Sequence, residues 1–557
     1  MSKTYFKITA TSLFLFLFLV SCTEQKSSIE PPKVVGIPPQ NAYTGLVMLD
    51  DGEIRHYGPD LYITTKDQGV SWDTIAVADG NLYGKKDPLS GEYIRVFAGK
   101  DDAVFAVRSI GGIDGEWTKN QIDNNGAIMI KPVVFIKNGK RAIAAFHTLH
   151  RNGSGTYYSD DGGINWKKSN QVNSPPHQAH GIHKGQRWNH GGVEPSVVEL
   201  QDGRLWMLIR TAQDNLYESF SEDSGESWST AVPSRFYGTI TMATIQRLQN
   251  GSLLLLWNNT TPLPEVEHDG GYWEDVFTNR DALHAAISDD DGQTWSGFRE
   301  IYLNPLRNDS LMATRFGEMG SNDRSVQQTE FVELNKNKIL ISLGQHPKFR
   351  KLLTLDLNWL REKERYDDFA DGLAHWSHHS YIKGIKGHCA YDRKPGALLI
   401  PHPNKDAGQV MHLKTKKDTS LVSQQRGALF NFPAGQKGEI VSRIKINKGF
   451  KGMLISLHDR WFNPTDTTSH HFAMYNFKLE ENQATPDTWQ ILRLEWDNTD
   501  TQKPGYCSVY IDDKKLDPSI PLQNNTINGI SYIKFSLPAE KDDNEGVLIE
   551  SIKTIVD

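Results

Sequence analysis

The sequence predicts an all-β protein: a six-bladed β-propeller followed by a β-sandwich. Three observations predict it. A Ser/Thr-x-Asp-x-Gly-x-x-Trp segment occurs four times, apolar strand pairs around a tight turn occur six times, and beyond about Arg365 the first pattern stops while alternating strands continue.

The first repeat reads "TKDQGVSW" ending at Trp72, "SDDGGINW" at Trp166, "SEDSGESW" at Trp228 and "SDDDGQTW" at Trp295. Each position has a physical task. The Asp closes a turn by accepting local backbone N–H bonds, the Gly supplies a backbone conformation other residues resist, and the Trp buries a large ring under the hairpin. These are folding staples and not catalytic groups. The second repeat runs in step with the first: "VMLDDGEI", "VFAGKDDAVFAV", "VFIKNGKRAIAAF", "VELQDGRLWMLI", "QRLQNGSLLLLW" and "VELNKNKILISL". Asp-Gly and Asn-Gly between alternating strands are strong hairpin signals, and six strand pairs fit six blades between residues 34 and 364. After "LTLDLNWLREKERYDDFADGLAHW" the segments "KGMLISLHD", "TWQILRLEWDN", "CSVYIDD", "GISYIKFSL" and "GVLIESIKTIV" predict an antiparallel sandwich over 365–557.

The chain has 557 residues, 38% hydrophobic and 10% aromatic, with a net charge of -7, an ordinary globular composition. No clustered excess of Lys and Arg is present, which argues against a nucleic-acid partner. No cofactor motif or trusted metal-ligand spacing is present either. The N-terminus, "MSKTYFKITATSLFLFLFLVSC", has a Lys-bearing start and a short apolar run, and reads as a secretion signal. "LVSC" resembles the lipobox of bacterial lipoproteins. That resemblance implies cleavage after residue 21, lipid on Cys22, a tether over 23–33 and a place in the cell envelope, at the outer membrane. An ordinary signal peptide is the alternative. Cys389 and Cys507 are then the remaining cysteines, too few for a disulfide framework though able to pair.

The stretch "VEPSVVELQDGRLWMLIRTAQDNLYESFSEDSGESW" sets Glu194 before a hairpin, Arg210 at the end of its second strand and the Asp-box segment after it. This order resembles the sialidases (exo-neuraminidases), which are six-bladed Asp-box propellers, and the likeness extends over more than half of the chain. The C-terminal half resembles the concanavalin-like modules of secreted carbohydrate-active proteins. The sialidase resemblance implies three arginines that clamp a substrate carboxylate, a Glu that activates a Tyr nucleophile, and an Asp acid/base. Glu194 matches the activating Glu, Arg210 the second clamp arginine and, in "NRDALHAAISDDDGQTW", Arg280 the third.

The departures are as informative. "VVGIPP" places Gly36 where the first clamp arginine belongs, with Arg55 as a substitute by position. Where the Tyr belongs, "RSVQQTEFVELNKNKI" offers Gln327 and Gln328. Asp60, in "HYGPDLYITTKD", is the counterpart of the acid/base. Histidines accumulate instead: His147 and His150 in "FHTLHRNG", and His177, His180, His183 and His190 in "PPHQAHGIHKGQRWNHGGVEP". A His with a near-neutral pKa serves as general acid or base, so His190 and His147 join Glu194 and Asp60 as candidate catalytic residues, with Arg210, Arg280, Arg55 and Gln328 as candidate substrate contacts. Three functions fit these residues: a sialidase-like exo-glycosidase acting on an acidic sugar of a glycan or polysaccharide, a propeller lyase using a His base on a uronate, and a glycan-binding lipoprotein.

Overall fold

The computed structural model describes residues 29–557 except 41, 78–81, 130, 178–190, 239, 262–279, 309–324, 346–348, 383–392, 405–406, 422, 501, 539 and 541. The signal and Cys22 lie outside the described residues, as do Cys389, His180, His183 and His190. No described helix is long and apolar enough to cross a membrane.

The N-terminal part is a set of six antiparallel sheets; five of the predicted strand pairs form the first two strands of a sheet, and "VFAGKDDAVFAV" forms the second and third strands of its own, behind the short strand Lys85–Lys86. Blade 1 runs from Leu46–Met48 to Asp73–Ala76, and blade 2 from Lys85–Lys86 to Glu116–Asp123. Blade 3 has its innermost strand split into Ala127–Ile128 and Val134–Ile136, both paired with Arg141–Thr148. Blade 4 spans Val193–Glu199 to Val232–Tyr237, and blade 5 Thr244–Arg247 to Ser296–Leu303. Blade 6 begins at Glu330–Asn335 and takes its outer strand, Lys33–Gly36, from the other end of the chain.

Apolar clusters join each sheet to the next. Leu254 and Leu256 of blade 5 meet Ile339 and Leu353 of blade 6, and Val332 and Leu340 of blade 6 meet Leu46 and Ile54 of blade 1. Val47 and Tyr93 join blades 1 and 2, Ile94 and Ala144 blades 2 and 3, Ile143 and Met207 blades 3 and 4, and Leu208 and Leu255 blades 4 and 5. The ring is therefore closed by burial on both faces of each sheet, which is why "LLLLW" reads as a continuous apolar run without alternation. The propeller is all-β and six-bladed, as the hairpin count predicts.

The four repeated turns share one hydrogen-bond pattern. Asp67 accepts from Thr65 Oγ1 at 2.7 Å and from Ser71 N at 2.9 Å; Asp161, Asp223 and Asp290 repeat this at their own turns. The Gly and the residue before it both take positive φ in all four, for example Ser224 at 63° and Gly225 at 91°. One detail differs from expectation. Trp228 is buried, with its indole N–H on Thr156 Oγ1 at 2.9 Å, whereas Trp72, Trp166 and Trp295 are half-buried at the blade rim.

After the short helix Leu357–Arg361, the chain enters two facing antiparallel sheets. One includes Glu364–Asp367, Lys437–Ile446 and Asp543–Val556, and the other Arg426–Gly435, Met453–His458 and Ile530–Leu537. A single core containing Trp376, Phe430, Phe432 and Trp496 fills the space between them, so this half is a sandwich. Cys507 is a free thiol within that core, and burial pushes it up to about 12, leaving it inert.

Candidate active site

The site is built at the propeller end remote from the hairpin turns. In blade 4, Val193 pairs with Arg210, and the register slips between Val193 and Ser196, where Pro195 has no N–H to give the ladder. Glu194 sits in this bulge at φ 50°, a conformation costly for a non-glycine residue. Its backbone N–H leaves the ladder and donates to His147 Nδ1 at 3.2 Å. Gly192, at φ 123°, is required beside it, because a Cβ there would lie 2.8 Å from Ile209 Cγ2. The bulge sets the Glu194 carboxylate 2.5 Å from Arg210 Nη1, with 13% and 8% of the two side chains exposed.

Burial alone would raise the Glu194 carboxyl. Arg210, with His147 and Arg280, outweighs it and holds Glu194 below the usual carboxylate value, so it is ionised at neutral pH. Arg280, 2% exposed, follows the same logic in blade 5: it precedes the strand Ala282–Ser288 and donates from Nη2 to the carbonyl of Ile240. Arg210 Nε is buried without a hydrogen-bond partner among the described residues.

A residue not singled out from the sequence joins the cluster. Arg151, exposed on the turn between the second and third strands of blade 3 and at φ 57°, has its guanidinium pKa lowered by partial desolvation and by Arg210, with Glu194 opposing. Arg210 thus pairs directly with Glu194, and Arg280 and Arg151 are near enough to act on the same charge. The signal was present in "FHTLHRNG", beside His147 and His150, but the partners stand at 194 and 210, and only the propeller brings them together.

Lys131 is the second such residue. Its Nζ donates to Thr244 Oγ1 at 2.6 Å and to the Thr329 carbonyl at 2.9 Å, which places it on the propeller axis between blades 3, 5 and 6. Glu330, next to Thr329, accepts the Gly45 and Leu46 amides of blade 1 at 2.8 and 3.0 Å. Burial, against the pull of Glu194 and Glu330 and with Arg350 adding, brings Lys131 down to about 8. A cavity of about 370 Å³ runs from Lys131 toward Phe135 and Arg247 at the hairpin end; Glu194, Arg210 and Arg280 do not line it. Because Lys131 loses its charge as pH rises through about 8 while the arginines keep theirs, binding of an anionic ligand beside Glu194 weakens above that pH. We expect the KM for an acidic substrate to rise across pH 7–9, and Lys131→Met to raise KM at pH 7 and flatten the rise.

The remaining candidates are placed as follows. Gly36 lies in the outer strand of blade 6, where a Cβ would sit 3.0 Å from Trp72 Nε1 and 3.2 Å from Leu352 Cδ1, so a side chain there would crowd both neighbours. Arg55 pairs with Val47 near the hairpin end of blade 1, and bonds Glu53 at 2.6 Å, Asp114 at 2.5 Å and Tyr57 at 3.3 Å; the structure does not bring it to Glu194. Asp60 is exposed on the turn between the second and third strands of blade 1, the same end of the propeller as Arg210. Gln328, buried at φ 59°, precedes the inner strand of blade 6 as Glu194 opens that of blade 4. Gln327 bonds Gln345 at 3.1 Å. His150 is exposed and His177 buried. His147 is pushed down to about 4 by burial, Arg210 and Arg151 against Glu194, so it is neutral at pH 7. Its Nδ1 lone pair is taken by the Glu194 amide, which puts its proton on Nε2 and leaves it no free lone pair for base catalysis.

Residues 156–309 match the BNR repeat-like domain. No curated protein matches it in sequence. Among solved structures, a Trypanosoma rangeli sialidase in complex with sialic acid aligns at 12% identity and a TM-score of 0.32, over 95% of this chain and 96% of that one. A protein of unknown function from Dyadobacter fermentans aligns at 16% and 0.36, over 59% and 100% of the two chains. A Hadza microbial sialidase aligns at 12% and 0.36, over 58% and 69%. Likeness of this degree bears on neither substrate nor mechanism.

Proposed function

We propose that the protein is a sialidase-like exo-glycosidase that removes a terminal acidic sugar from a glycan. The observation that carries this reading is the buried pair of Arg210 with the ionised Glu194, with Arg280 and Arg151 close enough to act on the same charge. Planar guanidinium groups match a carboxylate in paired hydrogen bonds, and the buried Nε of Arg210 is a donor that a substrate carboxylate would satisfy. In this reading Arg151 takes the part that Gly36 leaves open. Glu194 then serves as base, taking a proton from a water whose oxygen bonds to the anomeric carbon as the glycosidic C–O bond breaks. Asp60 gives the proton to the departing oxygen. His147 holds the bulge that aims Glu194, and is a positioning residue and not a base. A lipid on Cys22 would hold the enzyme at the outer membrane through the 23–33 tether.

The test is a screen of the chain from Thr23 onward against sialosides and uronate-bearing oligosaccharides, read by chromatography and ultraviolet absorbance together. A saturated free sugar is the expected product. An absorbing, unsaturated product lost in His190→Ala would replace this reading by a lyase, and binding without any product would replace it by a lectin.

A further inference from the structure

The C-terminal sandwich holds blade 5 at several points, and three of them involve the segments on either side of Arg280 in the chain. At the first, Arg393 Nη2 bonds Asp281 Oδ2 at 2.7 Å, with 0% and 2% of the side chains exposed, and Asp281 directly follows Arg280. At the second, the loop after Met453–His458 adds to the edge of blade 5. Trp461 N donates to the Asn259 carbonyl at 2.9 Å, Thr261 N to the Trp461 carbonyl at 3.2 Å, and Asn259 Nδ2 to the Asp459 carbonyl at 3.0 Å. Arg460 Nε reaches Thr261 Oγ1 at 2.6 Å, and its guanidinium lies 3.7 Å over the Tyr237 ring at the end of blade 4. The neighbouring Asn258 donates to the Ala282 carbonyl at 2.6 Å and to the Val326 carbonyl at 3.2 Å, and Val326 N donates to the carbonyl of Arg280 at 2.9 Å.

The third point is a directional chain inside the interface. Asn259 N donates to His284 Nδ1 at 3.0 Å, which fixes the proton of the neutral ring on Nε2. His284 Nε2 is 2.5 Å from Tyr532 Oη, and Tyr532 gives its own proton to Glu300 Oε1 at 2.8 Å. Tyr532 comes from the sandwich strand Ile530–Leu537; His284 and Glu300 come from blade 5.

We infer that the sandwich is a positioning element of the active site: it fixes the blade 5 segments on either side of Arg280, and with them the guanidinium that meets the substrate carboxylate. The inference rests on the reading of Arg280 as a substrate contact. It gives the C-terminal half a task other than independent glycan capture.

The test uses the full chain from Thr23 with Tyr532→Phe, which removes one hydroxyl and keeps the ring, and Arg460→Met, which removes the bond to Thr261 at the rim. Hydrogen exchange in the absence of ligand is compared across peptides, and kcat and KM are measured on the acidic substrate. We expect exchange over Asn259–Thr261 and Arg280–Ala285 to rise about tenfold, the effect of one buried hydrogen bond on a local opening. Exchange in blade 2 should not change, and KM should rise with kcat held within about twofold. Faster exchange confined to the sandwich, or an unchanged KM when exchange beside Arg280 has risen, would overturn the inference. A parent chain that cleaves no acidic sugar would defeat the functional reading instead, and the exchange comparison would still decide whether the sandwich controls the Arg280 segment.

Discussion

Glu194→Gln is expected to lower turnover of an acidic glycoside by about 10³-fold, within the range for loss of a general base, while the chain stays folded. The amide keeps an acceptor for Arg210 Nη1 and the side-chain volume, and the bulge is set by backbone groups: the φ of 50° and the amide bond to His147 are unaffected. What is lost is the negative charge in a site where water is largely excluded. The pH dependence follows from the same environment. Arg210 and Arg280 outweigh burial and hold the carboxyl below its ordinary value in the free enzyme, so Glu194 is ionised at neutral pH and the acid limb of kcat/KM lies below the usual carboxylate range. A steady-state pH profile of the parent and the variant checks both statements. A Gln variant within tenfold of the parent would remove Glu194 from the chemistry.

The largest stability effect is expected at the pair Arg393 and Asp281. Asp281→Asn leaves a guanidinium with no exposed surface opposite a neutral amide, and breaking such a buried pair costs about 3–5 kcal/mol. Arg393 keeps its bonds to the Arg307 carbonyl at 2.7 Å and to Tyr381 Oη at 3.3 Å, but neither supplies a charge. The double variant Asp281→Leu with Arg393→Met is expected to recover most of the loss, because apolar groups of similar volume do not leave a stranded ion. Denaturant midpoints of the single and double variants, followed by both tryptophan emission and far-ultraviolet dichroism, measure this. A single variant within about 1 kcal/mol of the parent would place the pair in a wetter setting than its burial indicates.

Much of this architecture is legible in the chain itself. Four of the six hairpins declare themselves through Asp-Gly or Asn-Gly turns between apolar strands and the other two through the strands alone, and five became the inner half of a blade while that of blade 2 became its middle pair. Glu194 and Arg210 are also legible, because a hairpin fixes the distance between its own two ends: the register set at Asp202 and Gly203 runs to Ser196 with Leu208 and brings Glu194 to the level of Arg210, and only the one-residue slip that pairs Val193 with Arg210 is not announced. Arg151 and Lys131 are not legible. Their partners lie on other blades, and local pattern carries no information about which side chains meet across a propeller axis. The same limit explains Arg55. Its chain position suited a clamp, yet Glu53, two residues away on the same face of the strand, and Asp114 from blade 2 take up its guanidinium. Gly36 reads in the sequence as a missing arginine. In the structure it is a close approach of the outer strand of blade 6 to Trp72 and Leu352, which a side chain would crowd. The role of the sandwich was hidden for a related reason. No ligand motif marks it, since its contacts with blade 5 are backbone carbonyls, the Arg460 and Asn431 side chains, one buried ion pair and a tyrosine hydroxyl.

The central claim is that three arginines make this site selective for a carboxylate. The most direct measurement compares one terminal acidic glycoside with its carboxamide isostere, which has the same shape and leaving group but no charge. Loss of a charge-assisted, paired contact in a buried site predicts cleavage of the amide slower by about 10²-fold or more in kcat/KM. Equal cleavage of the two would mean that the arginines around Glu194 do not read the substrate's charge, and would contradict the account.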